Sequence, residues 1–358
     1  MIRLAILFLF YFCSLPAYTN TYRSELVLQD LGIPWSIEFI SEKKLLINEK
    51  HGTVSLFDID TGKRRELITF AEVDDSGQGG LLDVSHVKSQ TGEIQLFFSY
   101  SKTTPEGANL VIATAELNDD KITGLRDLFV ANAVSDSSRH FGSRLIVNDK
   151  YLFVTVGDRG ERSNGQDINT HAGTILRLNF DGTAPEDNPF VGREGLDEIW
   201  TYGHRNPQGL FYDQESNVLW SIEHGPRGGD EINRIEKGKN YGWARVSQGK
   251  EYWGPLKVGE AESLIGMQDP ELVYTPSIAP SNIILYRGSQ YPNLDGKLIA
   301  GALKLTHLNV VEITPSGLKE YARLFDDDNH RIRDITLHPS GTIYFSTDSG
   351  KIHRLVTN

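Results

Sequence analysis

One arrangement recurs six times along this chain: an apolar strand, a glycine-containing turn and a second apolar strand. The copies are Leu45–Asn48 with Gly52–Phe57, Ile94–Phe98 with Asn109–Ala113, and Tyr151–Thr155 with Gly173–Leu178. They continue at Val218–Ile222 with Glu231–Ile235, Lys297–Gly301 with His307–Glu312, and Thr342–Ser346 with Lys351–Leu355. One more strand precedes each copy: Trp35–Phe39, Leu81–Val87, Ser143–Val147, Leu210–Tyr212, Ile283–Tyr286 and Ile335–Leu337. No long helical period competes with this strand-and-turn pattern. Repeats of this kind stack into an all-β six-bladed β-propeller, with four-stranded antiparallel blades set radially about a channel. The last repeat runs out at Asn358 after its third strand, so Ser24–Leu28 is expected to supply the fourth and close the ring. Three insertions, Asp158–Ala172, Asp181–Asp197 and Gly242–Pro276, are rich in Gly, Asn, Pro and charge and read as surface loops.

The first 19 residues read as a secretory signal, with Arg3 as n-region, Leu4–Cys13 as apolar core and small residues from Ser14. Residues 20–358 are then a single propeller domain, exported to the periplasm or exterior, with no membrane insertion after cleavage. Cys13 is the only cysteine, so the mature chain has no disulfide, thiolate metal site or cysteine nucleophile. The formal charge of −12 argues against nucleic acid as a partner. It also makes any local cluster of cations worth explaining.

The phase of the repeat predicts such a cluster. In a blade, the loop entering the innermost strand and the loop joining the second strand to the third lie on the same face. Entering loops hold Gln78, His140, Arg205 with Asn206, and Arg331 with Arg333. Second-to-third loops hold Asp158, Gly225 with Pro226, and Lys304. All should meet at one mouth of the channel. Four cations held close there repel one another unless a polyanion sits among them, and guanidinium groups recognise carboxylates in bidentate fashion. The alternative is that each arginine has its own acid, with Asp334 and Asp348 as candidates. His140, with Asp158 from the same blade, has the make-up of an oriented general base. The alternative is a histidine bonded to backbone, and His171, His204 and His224 are rivals. The run Glu223–Asn233 offers bare carbonyls at Gly225 and Pro226 and the carboxylate of Glu231, the oxygen chemistry that Ca2+ prefers; the alternative is a charged surface turn. No Cys/His set for zinc and no dinucleotide-binding glycine fingerprint is present.

Seven motifs together resemble the soluble PQQ-dependent glucose/sorbosone dehydrogenase family, of the aldose sugar dehydrogenase type. They are Gly77-Gln-Gly-Gly-Leu-Leu-Asp83, His140-Phe-Gly-Ser-Arg144, Arg205-Asn-Pro-Gln-Gly209, Glu223-His-Gly-Pro226 with Asp230-Glu-Ile-Asn233, Asn240-Tyr-Gly-Trp243, Ala302-Leu-Lys304 and Arg331-Ile-Arg-Asp334. The resemblance implies an exported enzyme that binds pyrroloquinoline quinone (PQQ), a tricarboxylate, at the channel mouth. It implies that His140 takes the proton of a sugar's anomeric hydroxyl, oriented by Asp158, as hydride passes to the quinone and a lactone forms. Arg205 would stabilise charge on the quinone oxygen, while Gln78, Arg205, Asn206, Lys304, Arg331 and Arg333 hold the cofactor. Gly225 and Pro226 carbonyls would hold a bridging Ca2+, and Glu231, Tyr241 and Tyr252 a structural one. The implied partners are an aldose and an external electron acceptor, and the absence of longer loops favours a monomer. Ser143, in place of a frequent glycine, and the Ala279–Tyr286 segment depart from the family pattern and bear on sugar preference. The competing functions are a metal-dependent sugar lactonase and a non-catalytic propeller that binds a sugar or protein.

Overall fold

Twenty-four β-strands supply nearly all the regular structure in this computed structural model, which describes residues 21–358. The predicted leader and Cys13 lie outside the described residues. The strands form six antiparallel sheets of four strands each. Five sheets run in simple order from the inside outward, beginning with β2 (Pro34–Phe39), β6 (Leu81–Lys88), β10 (Leu145–Val147), β14 (Pro207–Asp213) and β18 (Pro280–Tyr286). The sixth begins with β22 (Ile332–Leu337) and is completed by β1 (Tyr22–Leu28), which pairs with the last strand, β24 (Lys351–Thr357). Each innermost strand contacts the next, and β22 contacts β2, so the sheets close into a ring. This is the six-bladed propeller that the repeat predicts, with the N-terminal strand closing the last blade. Among the described residues, no helix is long and apolar enough to cross a membrane.

Burial explains why these residues become these strands. The second and third strands of each blade are covered on both faces by neighbouring blades. All residues of β11 (Leu152–Val156) and β12 (Thr174–Leu178) are therefore buried, and their sequences are mostly apolar. Between the second and third blades, Phe97, Ile112, Leu152, Val154 and Leu176 join one apolar cluster. Between the fifth and sixth, Ile299, Val310, Ile332, Phe345 and Leu355 do the same. Each such side chain contributes roughly 1.5–3 kcal/mol by leaving water. The outer strands have one wet face. In β5 (Lys63–Thr69) and β9 (Lys121–Val130) exposed positions carry Lys, Arg, Glu and Asp, which blunt the sheet edge.

A single side chain ties the ring together at its axis. Arg144, 2% exposed, donates to Asp83 at 3.0 Å and Asp334 at 2.9 Å. It also donates to the carbonyls of Gln208 (3.0 Å) and Ser281 (3.4 Å), and its guanidinium lies 4.6 Å from the Trp35 ring centre. Those partners sit in the second, sixth, fourth, fifth and first blades, and Arg144 itself belongs to the third. Asp83 and Asp334 also accept the main-chain N–H groups of Leu145 and Ile37, at 2.7 and 2.8 Å. This buried network stands across the channel and separates the functional mouth from the far end.

The insertions depart from the surface-loop expectation in two ways. Gly242–Pro276 includes β17 (Leu272–Tyr274), the outer strand of the fourth blade. Asp158 and Trp243 at the starts of two insertions are buried, because they form part of the site described next.

Candidate active site

His140 stands in the left-handed backbone region at φ 56°, an uncommon state for a residue with a Cβ. Three contacts hold it there. Its N–H donates to Gln78 Oε1 at 2.7 Å. Its Nδ1 meets Asp158 Oδ1 at 2.6 Å. Its carbonyl lies so close to Gly157 that a Cβ there would come within 2.2 Å of the oxygen, so only glycine fits. Asp158 is fixed in turn by Trp243, whose indole N–H donates to Oδ2 at 2.7 Å, and by the N–H of Gly160 at 2.7 Å to Oδ1. Asp158 is 1% exposed and the His140 side chain 12% exposed. Burial, and secondarily the charge of Arg205, lower the His140 pKa from its ordinary value, against the pull of Asp158. Neutral His140 with Nδ1–H on the carboxylate leaves Nε2 as an open acceptor. The rivals are engaged otherwise: both ring nitrogens of His171 and of His204 have partners, and His224 Nε2 lies 2.5 Å from the Pro280 carbonyl.

Arg159, which follows Asp158, escaped the sequence reading. Its guanidinium is buried over the Phe141 ring at 3.5 Å and has no carboxylate partner among the described residues. Instead it donates to the carbonyls of Ala108, Ala133, Ser137 and Arg139, and so fastens the segment that leads into His140. Burial lowers its pKa to about 10.

The cations gather at the same mouth. Arg205 forms no ion pair among the described residues. Its guanidinium donates to the carbonyls of His224 (3.1 Å) and Gly225 (2.9 Å) and lies 5.3 Å from the Trp243 ring centre. Arg331 and Arg333 share one acid, Asp348, at 3.0 and 2.8 Å, and the charges of both hold its carboxyl below its ordinary range despite burial. Asp334, the other acid weighed for this pairing, goes to Arg144 instead. Arg331 also donates to the Leu303 carbonyl at 2.8 Å, which brings it beside Lys304. Lys304 is exposed and has no ion pair among the described residues. One further cation was missed: Lys50, in the second-to-third loop of the first blade, whose pKa burial lowers against the charge of Asp75, whose Nζ donates to the Asp75 carbonyl, and which also feels the charges of Arg333 and Asp348. Its position after Leu45–Glu49 has the same phase as Asp158 and Lys304, which was the available signal. Asn206 faces the same loops, its Oδ1 accepting Gly142 N–H at 3.1 Å.

Beside Arg205, Glu223, Gly225, Pro226, Glu231 and Tyr241 line one small cavity. Glu231 is half-buried, and burial together with the neighbouring Glu223 raises its pKa well above its ordinary value. These two carboxylates share the amide of Asn233, at 3.1 and 3.3 Å, while the Oδ1 of Asn233 is buried with no hydrogen-bond partner. A pair of carboxylates, an orphaned amide oxygen and nearby main-chain carbonyls, of which that of Gly225 also accepts from Arg205, form a donor set suited to a hard cation. Tyr252 does not line this cavity, and its side chain is exposed at the tip of a surface hairpin, so the structure does not bring it to the other candidate ligands. Among the described residues, no three His, Cys, Asp or Glu side chains cluster as a metal site, so carbonyl oxygens would have to complete the shell.

Residues 31–354 match the family model described as Glucose / Sorbosone dehydrogenase. The chain is 37% identical over 331 residues to the aldose sugar dehydrogenase YliI of Escherichia coli K12, covering 90% of this chain and 89% of that protein. It is 24% identical to quinoprotein glucose dehydrogenase B of Acinetobacter calcoaceticus, covering 93% and 87%. The apo crystal structure of the soluble E. coli aldose sugar dehydrogenase superposes with a TM-score of 0.87 at 34% identity, covering 94% of this chain and 99% of that one. A PQQ-bound aldose sugar dehydrogenase from Streptomyces coelicolor shares the fold, with a TM-score of 0.77 at 21% identity and coverage of 95% and 99%. With a propeller of this topology and a family match spanning nearly all the described residues, the chain belongs to the glucose/sorbosone dehydrogenase family.

Proposed function

We propose that this protein is a PQQ- and Ca2+-dependent oxidoreductase that converts aldoses to lactones at the anomeric carbon. The observation that carries the reading is the pairing of an open histidine acceptor with a mouth of excess positive charge. Lys50, Arg205, Lys304, Arg331 and Arg333 surround it, and among the described residues only Arg331 and Arg333 of these are matched to a carboxylate, which they share. That excess suits a ligand with several carboxylates. Bound PQQ would supply the quinone that accepts two electrons from the sugar. Gln78, Asn206, Lys304, Arg331 and Arg333 hold and orient it. Arg205 places a fixed cation where negative charge develops. His140 Nε2 takes the proton of the anomeric hydroxyl, and Asp158 keeps the other ring nitrogen protonated and the ring aimed. The cavity at Gly225, Pro226 and Glu231 receives Ca2+. A metal-dependent lactonase of this architecture would set carboxylates about the mouth, where this chain sets cations. The apolar leader supports work outside the cytoplasm, and the reaction needs an external electron acceptor.

Reconstitution tests this. Purified protein is expected to reduce an artificial acceptor dye with glucose only after both PQQ and Ca2+ are added. Lactone hydrolysis without PQQ, or no aldose oxidation with both additions, would sink the proposal. Lys304→Ala removes an unpaired cation at the mouth. It should weaken PQQ binding about tenfold or more by fluorescence titration, with little change in thermal stability, since the residue is exposed.

A further inference from the structure

The first half of the Gly242–Pro276 insertion forms a hairpin that no proposed role uses. Its arms are joined where Lys250 bridges Arg227 on one side and Lys257 on the other. Its tip, residues 251–256, is clamped from two directions. Arg162, four residues beyond Asp158, holds Glu251 through paired bonds of 2.8 Å each. Arg227, next to Pro226, donates to the carbonyl of Gly254. The tip therefore stands on the rim between the Asp158 loop and the Gly225–Pro226 loop. Arg162 also lies 5.9 Å from the ring centre of Trp243, the residue that holds Asp158, so the tip and the base share one support.

On this fixed mount the apolar side chains face water. Trp253 is 74% exposed and Leu256 58%, and Tyr252 beside them is also exposed. A rigid, exposed aromatic cluster at a rim marks a contact surface. Its occupant follows from the direction of the reaction. Only the anomeric end of a sugar chain can reach His140. The Arg144 network closes the channel beneath, so every further sugar unit must run outward across the rim. The C–H face of a pyranose packs on a flat aromatic ring while its hydroxyls reach charged neighbours, here Lys250, Glu251 and Arg162.

We infer that Trp253 is the stacking platform of an outer sugar subsite, which favours oligosaccharide aldoses over monosaccharides. This inference rests on the proposed function, and its test separates the two. In the loaded enzyme, Trp253→Ala should leave kcat/KM for glucose within about twofold and lower that for the linear trisaccharide maltotriose about fivefold to tenfold, through KM. Trp253→Phe should restore most of the loss. In protein without added cofactor, maltotriose should change the intrinsic tryptophan fluorescence saturably, and Trp253→Ala should abolish that change. Equal effects on glucose and maltotriose, or none on either, overturn the subsite. A change confined to the KM of the acceptor dye also overturns it and makes the tip an acceptor contact. If the wild type oxidises no aldose, the proposed function fails by itself, and the fluorescence titration still decides whether a sugar chain binds at Trp253.

Discussion

His140→Ala is expected to lower kcat for aldose oxidation by roughly 10²–10⁴, the range of a positioned general base, while PQQ affinity changes little. The separation follows from where the contacts lie. The side chain of His140 touches Asp158, whereas the groups assigned to the cofactor come from other blades. Stopped-flow reduction with glucose reads the first quantity and fluorescence titration with PQQ the second. The pH profile gives an independent check. Burial lowers the His140 pKa, so the ring stays in its basic form below the ordinary value of about 6.5. The rate should be flat through neutrality and fall only on the acid side of that value, because protonation removes the acceptor. Asp158→Asn deletes a charge that pulls the pKa upward, so it moves the acid limb further down in pH while slowing turnover. An acid limb above pH 7, or full activity in His140→Ala, would falsify the assignment.

Arg144→Met is expected to destabilise the fold by roughly 3–5 kcal/mol, the cost of leaving buried charges without their partner, with a fall in Tm of roughly 5–15 °C. The methionine fills similar volume, so the loss comes from stranding Asp83 and Asp334, and from releasing one contact to each blade. Calorimetry of the purified protein measures it. Returning Asp83→Asn and Asp334→Asn to the same variant should recover part of the loss. A pH signature accompanies it. Burial and the neighbouring Asp83 push the Asp334 pKa up to about 6, even against Arg144. An acid raised in the folded state favours folding when protonated, and this contribution fades as pH rises from about 4 through 6. Without the guanidinium the rise is larger, so the deficit of Arg144→Met should shrink as pH falls towards 6 and level off below it. A variant as stable as the wild type at pH 7 would show that the network is not what holds the blades.

The inner three strands of every blade were legible because both their faces are covered, which turns them into apolar runs. Among the outer strands only the closing one, Ser24–Leu28 within β1, was read from the sequence. β5 reads Lys63-Arg-Arg-Glu-Leu-Ile-Thr69, a sequence whose polarity reflects a wet face and hides the strand. Loop phase placed His140, Asp158, Arg205, Lys304, Arg331 and Arg333 at one mouth, since connectivity alone decides on which side a loop emerges. Long-range partners were out of reach. Trp243 meets Asp158 across 85 positions of sequence, and Arg144 meets Asp334 across 190. Arg159 looked like any loop arginine, because carbonyl acceptors leave no mark in side-chain composition. Asp348, not Asp334, proved to be the acid at the mouth, a choice set by which way successive residues of β22 point.

The plug of Arg144, Asp83 and Asp334 has a kinetic corollary. A well with a single doorway cannot be filled and emptied at once. On the proposed function, sugar, lactone and electron carrier would have to take turns at one threshold, so each would obstruct the next when present in excess. Crowding by either co-substrate at high concentration is thus written into the floor of the well, far from any residue that touches them.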